Sequence, residues 1–285
     1  MTPARGPSVR RRRLAGELRR LRERSAWTIE ETAERLGWSI AKVSRIETAR
    51  TGITIPDLTR MLDLYDMPAD RREALYVLAR TARRRGWWDA YADSLPTDYA
   101  TYIELEAETA SIRAFNPIIL HGLLQTEDYA REIIRSAHMG MLAPNEIDRR
   151  VDVRMTRQRL LHRQDDPLKL WVIIDEAVLA HTVGSPAIMA AQNDRLLELA
   201  RLDTVTLQVL PLTKGAHPST AGPFSILEFQ ERYDPQVVYV ETMMSSLYIE
   251  SDAEIYRYTM AFDHLSRAAL DLDASTALIS RIARR

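Results

Sequence analysis

The stretch TIEETAERLGWSIAKVSRIE, residues 28–47, decides how the front of this chain folds. Thr28 and Glu31 stand three residues apart, the spacing at which each side chain satisfies the other's free backbone N–H at a helix start. A helix is therefore predicted from Ile29 to Leu36. Gly37 ends it, because so sharp a stop needs a positive φ, which costs glycine nothing and costs a residue with a Cβ about 1 kcal/mol or more. Ser39 is placed to cap a second helix.

Two short helices joined by a tight turn form the pattern of a helix-turn-helix DNA reader. Ala33, four residues before Gly37, is small enough to let the helices cross closely. Leu36, Trp38, Val43 and Ile46 supply the apolar contacts that fix their angle. Ile40, Ala41, Lys42, Ser44 and Arg45 are left on the outer face of the second helix, where they would meet base edges in a major groove. Thr28, Ser39, Arg50 and Thr51 flank that face and are the candidates for contacts to backbone phosphate.

Charge agrees with this placement. Residues 1–85 hold 20 of the 39 Lys and Arg and only 11 of the 40 Asp and Glu, so this stretch is +9 and the rest −10, although the whole chain is −1. A basic head on an acidic body suits a module that meets phosphates while the remainder stays clear of them.

With 285 residues and 46% hydrophobic content, the chain is long enough for about two domains. The basic N-terminus MTPARGPSVRRRR is followed by an amphipathic stretch rather than an apolar run, so it does not read as a secretory signal. No run approaches the roughly 18 apolar residues needed to span a bilayer. The absence of cysteine excludes disulfides and thiolate metal sites and agrees with a cytoplasmic location.

Leu14, Leu18 and Leu21 make a helical stripe ahead of the reader. The run Arg10–Arg13 before it reads either as an arm for the minor groove or as a solvated, disordered end; the second is favoured because basic termini are common. Thr54-Ile55-Pro56-Asp57 opens a fourth helix, and residues 70–85 close a five-helix head. Arg83–Arg85 either touch phosphate or complement the helix dipole. The predicted organisation is 1–85 as DNA-binding domain, 86–97 as a junction around Trp87 and Trp88, and 98–285 as the body.

In the body, helices are predicted over 98–115, 126–138 and 146–163. The short Val-, Ile-, Leu- and Tyr-rich runs at 168–174, 205–211, 223–229 and 236–241 read as strands, and 247–251 as a weaker one. A helical crossover, 176–200, is long enough to join parallel strands, and the later links suit hairpins. The fold class expected is an all-α head with a larger α+β domain built on a mixed sheet and covered by final helices at 252–270 and 273–284.

The head resembles the XRE-type, lambda-repressor-like helix-turn-helix domains, through Ala33, Gly37, Val43 and the string LGWSIAKVSRIE. The body looks like the uncharacterised C-terminal domain of many actinobacterial XRE-type regulators, often described as antitoxin-like. The strings that carry this likeness are YIELEAETASIRAF (102–115), GLLQTEDYAR (122–131), RQ (157–158), IIDEAVLAHTVGSP (173–186), LQVLP (207–211), and GPFSILEF followed by VVYVE (222–241). The resemblance implies a transcriptional regulator commonly encoded beside a small partner protein. Similar heads often carry Gln at the second position of the recognition helix and Gly soon after its end. Here Ile40 and Ala49 stand instead, which removes an amide reader of adenine and leaves Arg45 as the best guanine reader. His121 occupies a position where the resembled domain usually has Pro.

Enzymatic readings are weaker. The six histidines are scattered, and HExxH and GxSxG are absent. The sharpest alternative is an enzyme or sensor pocket at loop 214–222, where Lys214, His217, Ser219 and Thr220 would gather on an anion or a substrate with Glu176 or Glu241 nearby; a Gly/Pro-rich connection between strands is the favoured reading. The sequence thus points to a regulator of double-stranded DNA without catalytic residues, cofactor or metal. One head offers only about 600–1,000 Å² of contact, so a homodimer is expected. The body would receive a small protein partner or an unknown small ligand.

Overall fold

The computed structural model of the chain describes residues 9–81, 87, 91, 95–229, 236–243 and 245–284. Its contacts divide the described residues into two compact units, the first over 9–81 and 87 and the second over 91, 95–229, 236–243 and 245–284.

The described part of the first unit holds five helices: α1 (Val9–Arg24), α2 (Ile29–Leu36), α3 (Ile40–Glu47), α4 (Ile55–Leu64) and α5 (Ala69–Thr81). Leu14, Leu18 and Leu21 of α1 meet Leu36, Ile46, Leu58, Met61, Leu62, Leu75 and Leu78 in one buried cluster. Burying each such side chain contributes about 1.5–3 kcal/mol, the main force holding these short helices together. The run Arg10–Arg13 is corrected by the structure. It lies within α1, and Arg13 is buried at 4% exposure rather than forming an arm or a loose end. Arg83–Arg85, Trp88 and most of the 86–97 junction lie outside the described residues.

The second unit is α+β around a six-stranded mixed sheet. Helix α6 (Thr97–Glu108) runs directly into β1 (Thr109–Asn116), so the single helix expected over 98–115 is wrong in its second half. β1 is a central strand that buries Ile112 and Ala114 on one face and Phe115 on the other, where Ser111 and Arg113 both donate to Glu228 of a neighbouring strand.

The other strands are β2 (Lys169–Asp175), β3 (Val205–Leu210), β4 (Phe224–Phe229), β5 (Val237–Glu241) and β6 (Ser246–Ile249), in spatial order β3-β2-β1-β4-β5-β6. β1, β2 and β3 are parallel, with Ile112 opposite Leu170 and Leu170 opposite Val205. β4 runs antiparallel to β1, Phe115 facing Phe224, and β5 and β6 continue antiparallel.

Parallel neighbours require long crossovers. The first carries α7 (Glu127–Ala137) and α8 (Pro144–Arg157), and the second α9 (Glu176–Ala180) and α10 (Pro186–Leu199). The first agrees with the two helices expected over 126–138 and 146–163 except at its end, and the second is not the unbroken helix expected over 176–200. Residues 158–162 tighten into 3-10 winding after α8, a common helix ending. The span 176–200 breaks at Gly184, φ 68°, ahead of Ser185, which caps α10.

Helix α11 (Asp252–Ala268) lays Ile255, Phe262 and Leu265 on Phe115, Ile173, Leu210, Phe224, Ile226 and Val238 of the sheet. At the outer edge of β3 the entry to α12 (Leu272–Ala283) covers Val209. Leu270 N–H donates to the Val209 carbonyl at 2.9 Å, and Val209 N–H to Ser275 Oγ at 3.0 Å, so both backbone groups of Val209 are taken. Among the described residues no helix is long and apolar enough to cross a membrane.

Candidate functional site

The turn between α2 and α3 is built from local chemistry. Thr28 Oγ1 accepts the Glu31 N–H at 3.1 Å, and Glu31 Oε2 accepts the Thr28 N–H at 2.7 Å. Gly37, at φ 66°, donates to the Glu34 carbonyl, and Trp38 N–H reaches back to Ala33 at 2.8 Å, so the last carbonyls of α2 are satisfied. Ser39 Oγ then caps α3 by accepting the Lys42 N–H at 3.2 Å.

Trp38 locks this turn. The Lys42 ammonium lies 3.8 Å from its ring centroid on one contact, the Arg60 guanidinium 5.3 Å on another, and Arg60 also donates to the Leu36 carbonyl at the end of α2.

Val43 and Ile46 of α3 are buried, which turns Ala41, Ser44 and Arg45 outward at i, i+3, i+4. Ala41 and Arg45 are exposed, Ser44 is half-buried, and Ile40 at the first turn is 50% exposed. Lys42 differs from its neighbours on this face. Its ammonium pairs with Asp57 of α4 at 3.0 Å, so part of its charge is already engaged within the head. Thr28, Ser39, Arg50 and Thr51 are all exposed, the first two through side chains that also cap helices. Thr51 N–H donates to the Arg45 carbonyl at 3.1 Å and fixes the chain after α3. Ala49, where similar heads often have glycine, is buried and holds φ 57°, a left-handed conformation that carries strain for a residue with a Cβ.

In the second unit, loop 214–222 does not form the pocket suggested for it. His217 Nδ1 accepts the Ser219 N–H at 3.3 Å, its ring stands edge-on to Phe115, and Ser219 Oγ donates to the Gly222 carbonyl at 2.8 Å. These side chains are spent on shaping the connection. A cavity of about 100 Å³ opens instead at the carboxyl end of β1, next to the start of β4 and the end of β5, and no residue of 214–222 lines it. This is where the parallel half of the sheet gives way to the antiparallel half.

The cavity wall rests on a buried polar network. Arg157 grips Glu106 with two bonds, Nε to Oε2 at 2.6 Å and Nη2 to Oε1 at 2.7 Å, and donates through Nη1 to the Tyr99 hydroxyl at 2.6 Å. Burial works against the Arg157 charge, but Glu106 overcomes it and holds the guanidinium well above its usual pKa. Burial alone would raise the Tyr99 phenol, yet Arg157 and Arg154 outweigh it and hold the phenol below its usual value. Tyr102 is raised by burial and by Glu106.

His121 is 5% exposed and neutral, its pKa pushed down to about 4 by burial first, against an upward pull from Glu106, with Arg157 and Arg154 lowering it further. Its Nδ1 accepts the Leu123 N–H at 3.3 Å, which assigns the proton to Nε2, 3.5 Å from the Tyr102 hydroxyl.

Comparison with known proteins now bears on both units. A helix-turn-helix domain model matches residues 13–75, and a model described as a domain of unknown function, DUF5753, matches 99–281, more than half of the chain. The chain belongs to the DUF5753 family. No curated protein and no solved structure matches it. Its helix-turn-helix domain makes this DUF5753 protein a DNA-binding regulator.

Sequence reasoning missed the chemistry inside the DUF5753 domain. Tyr99, Glu106, Arg154 and Arg157 carry no shared spacing; Glu106 and Arg157 are 51 residues apart and meet only through the fold. The weak signal was charge in apolar company: Glu106 within YIELEAE and Arg157 followed by Gln158 at the end of an amphipathic helix. Gln158 donates to the Gln125 carbonyl at 2.6 Å and Gln125 to the Leu120 carbonyl at 2.8 Å, so the GLLQT string is a structural turn fastened by side chains.

Proposed function

We propose that this chain is a sequence-specific, XRE-type transcriptional regulator that works in the cytoplasm as a homodimer on double-stranded DNA. It is a binding protein rather than an enzyme, and the DUF5753 domain receives its signal. The observation that carries the reading is the outward face of α3, where Ala41 and Arg45 stand exposed on a helix capped at its start and packed by Val43 and Ile46. Arg45 engages no carboxylate among the described residues and is free to take a guanine edge in two bonds; Ile40 suits a thymine methyl.

The signal comes either from a small protein encoded nearby, in the antitoxin-like manner of the regulators the chain resembles, or from a small ligand. The cavity at the end of β1 favours the ligand. Selection of bound sequences from a random duplex library tests the DNA reading. Two related half-sites, about 10–10.5 bp apart centre to centre or a multiple of that, are expected. Failure to enrich any sequence contradicts it.

A further inference from the structure

The cavity at the carboxyl end of β1 holds an unusual balance of charge. Of its two guanidinium groups, Arg157 is neutralised by Glu106, with side chains 4% and 0% exposed. Arg154 is not. Its Nη1 donates to Gln125 Oε1 at 2.9 Å, it hydrogen-bonds the Tyr99 phenol, and its Nε is buried without a partner. No carboxylate among the described residues lies within 4.0 Å of it.

Glu241, at the end of β5, lines the same cavity and likewise has no cationic partner within 4.0 Å among the described residues. A cation and an anion thus share one small cavity without closing on each other. Asn116, the last residue of β1, adds a third unsatisfied group to the wall, an Oδ1 acceptor buried without a partner. Leaving such an acceptor unpaired is costly, so its retention fits a site completed by a donor from outside.

Size narrows the class. An apolar cavity of roughly 150 Å³ takes benzene, so about 100 Å³ here admits on the order of four to six non-hydrogen atoms. We propose that the cavity binds a small zwitterion of amino-acid size, its carboxylate on Arg154 and its ammonium toward Glu241 and the Asn116 Oδ1. The neutral state of His121 suits this arrangement, because an imidazolium there would compete for the carboxylate and repel the ammonium. The assignment rests on the reading of the DUF5753 domain as the part that receives a signal, and it names the chemical class of that signal.

Calorimetric titration of the purified full chain with glycine, L-alanine and β-alanine tests it, with acetate and methylammonium as the two half-ligands. At least one zwitterion is expected to bind about tenfold or more tighter than either half-ligand. Glu241→Gln and Arg154→Lys are each expected to weaken that binding about tenfold or more, with far-UV circular dichroism unchanged. Glu241 is exposed, so its variant keeps the test valid even if Arg154→Lys disturbs the fold. Absence of heat with all three zwitterions up to about 10 mM, equal binding by acetate alone, or unaltered binding by Glu241→Gln overturns the proposal. The same preparation is carried through the duplex selection: DNA enrichment without zwitterion binding defeats this site alone, and zwitterion binding without DNA enrichment defeats the regulator reading while the site stands.

Discussion

Arg22 of α1 and Glu47 of α3 form a buried ion pair, with Arg22 Nε 2.9 Å from Oε1 and 3.0 Å from Oε2 and side chains 11% and 2% exposed. Arg22 also donates to the Trp27 carbonyl at 2.9 Å, so one guanidinium ties the end of the recognition helix to the chain that leads into α2. Burial raises the Glu47 carboxyl, against the lowering pull of Arg22, and burial prevails.

Removing Arg22 therefore strands a carboxylate in the head. Arg22→Met is expected to destabilise the first unit by about 3–5 kcal/mol in urea denaturation at pH 7, and Arg22→Met combined with Glu47→Leu to regain most of that loss. A carboxyl whose folded pKa exceeds its unfolded value favours folding when protonated, so the penalty of Arg22→Met shrinks as pH falls toward the carboxylate range.

The turn before α3 gives a cleaner backbone test. A Cβ on Gly37 would meet nothing within 4 Å, so Gly37→Ala pays only for φ 66°. A loss of about 1–2 kcal/mol is expected in thermal or urea unfolding, with a smaller loss for Gly37→Asn.

These same residues explain how much could be read from sequence. The capping box, the Gly37 stop and the Ser39 cap are set by neighbours within four residues, so the reader was legible almost residue by residue. Strands β2 to β5 were legible because each is a short apolar run bounded by turn or polar residues. β1 was not, since α6 passes into it with no turn residue between them, and the polar/apolar alternation from Thr109 to Ala114 is too short to stand out from the helical pattern before it. The cavity had no local signature at all: Asn116, Arg154 and Glu241 come from β1, α8 and the end of β5, and only sheet order brings them to one place. Loop 214–222 is the connection between strands that its Gly/Pro content favoured, with His217 and Ser219 bonded to its own backbone.

His121 makes the DUF5753 domain sensitive to acid. Its folded pKa, about 4, lies below the ordinary 6.5, so the stability it supports is complete above about pH 6.5 and is lost as pH falls toward 4. The loss attributable to this group amounts to up to about 3 kcal/mol. His121→Asn keeps an acceptor for the Leu123 N–H and removes the titration, so urea midpoints of this variant should depend less on pH across that window. An unchanged pH dependence would assign the acid sensitivity to other groups.

The central claim, that α3 reads base sequence through Arg45, is tested most directly by competition binding of Arg45→Ala on selected operator and on random duplex DNA. The expected result is a loss of about 1–3 kcal/mol on operator, relaxed preference at one base pair, and little change on random DNA. Arg50→Ala, in contrast, should weaken both alike and lower the salt dependence by about one counterion. Equal losses on operator and random DNA for Arg45→Ala would contradict the account.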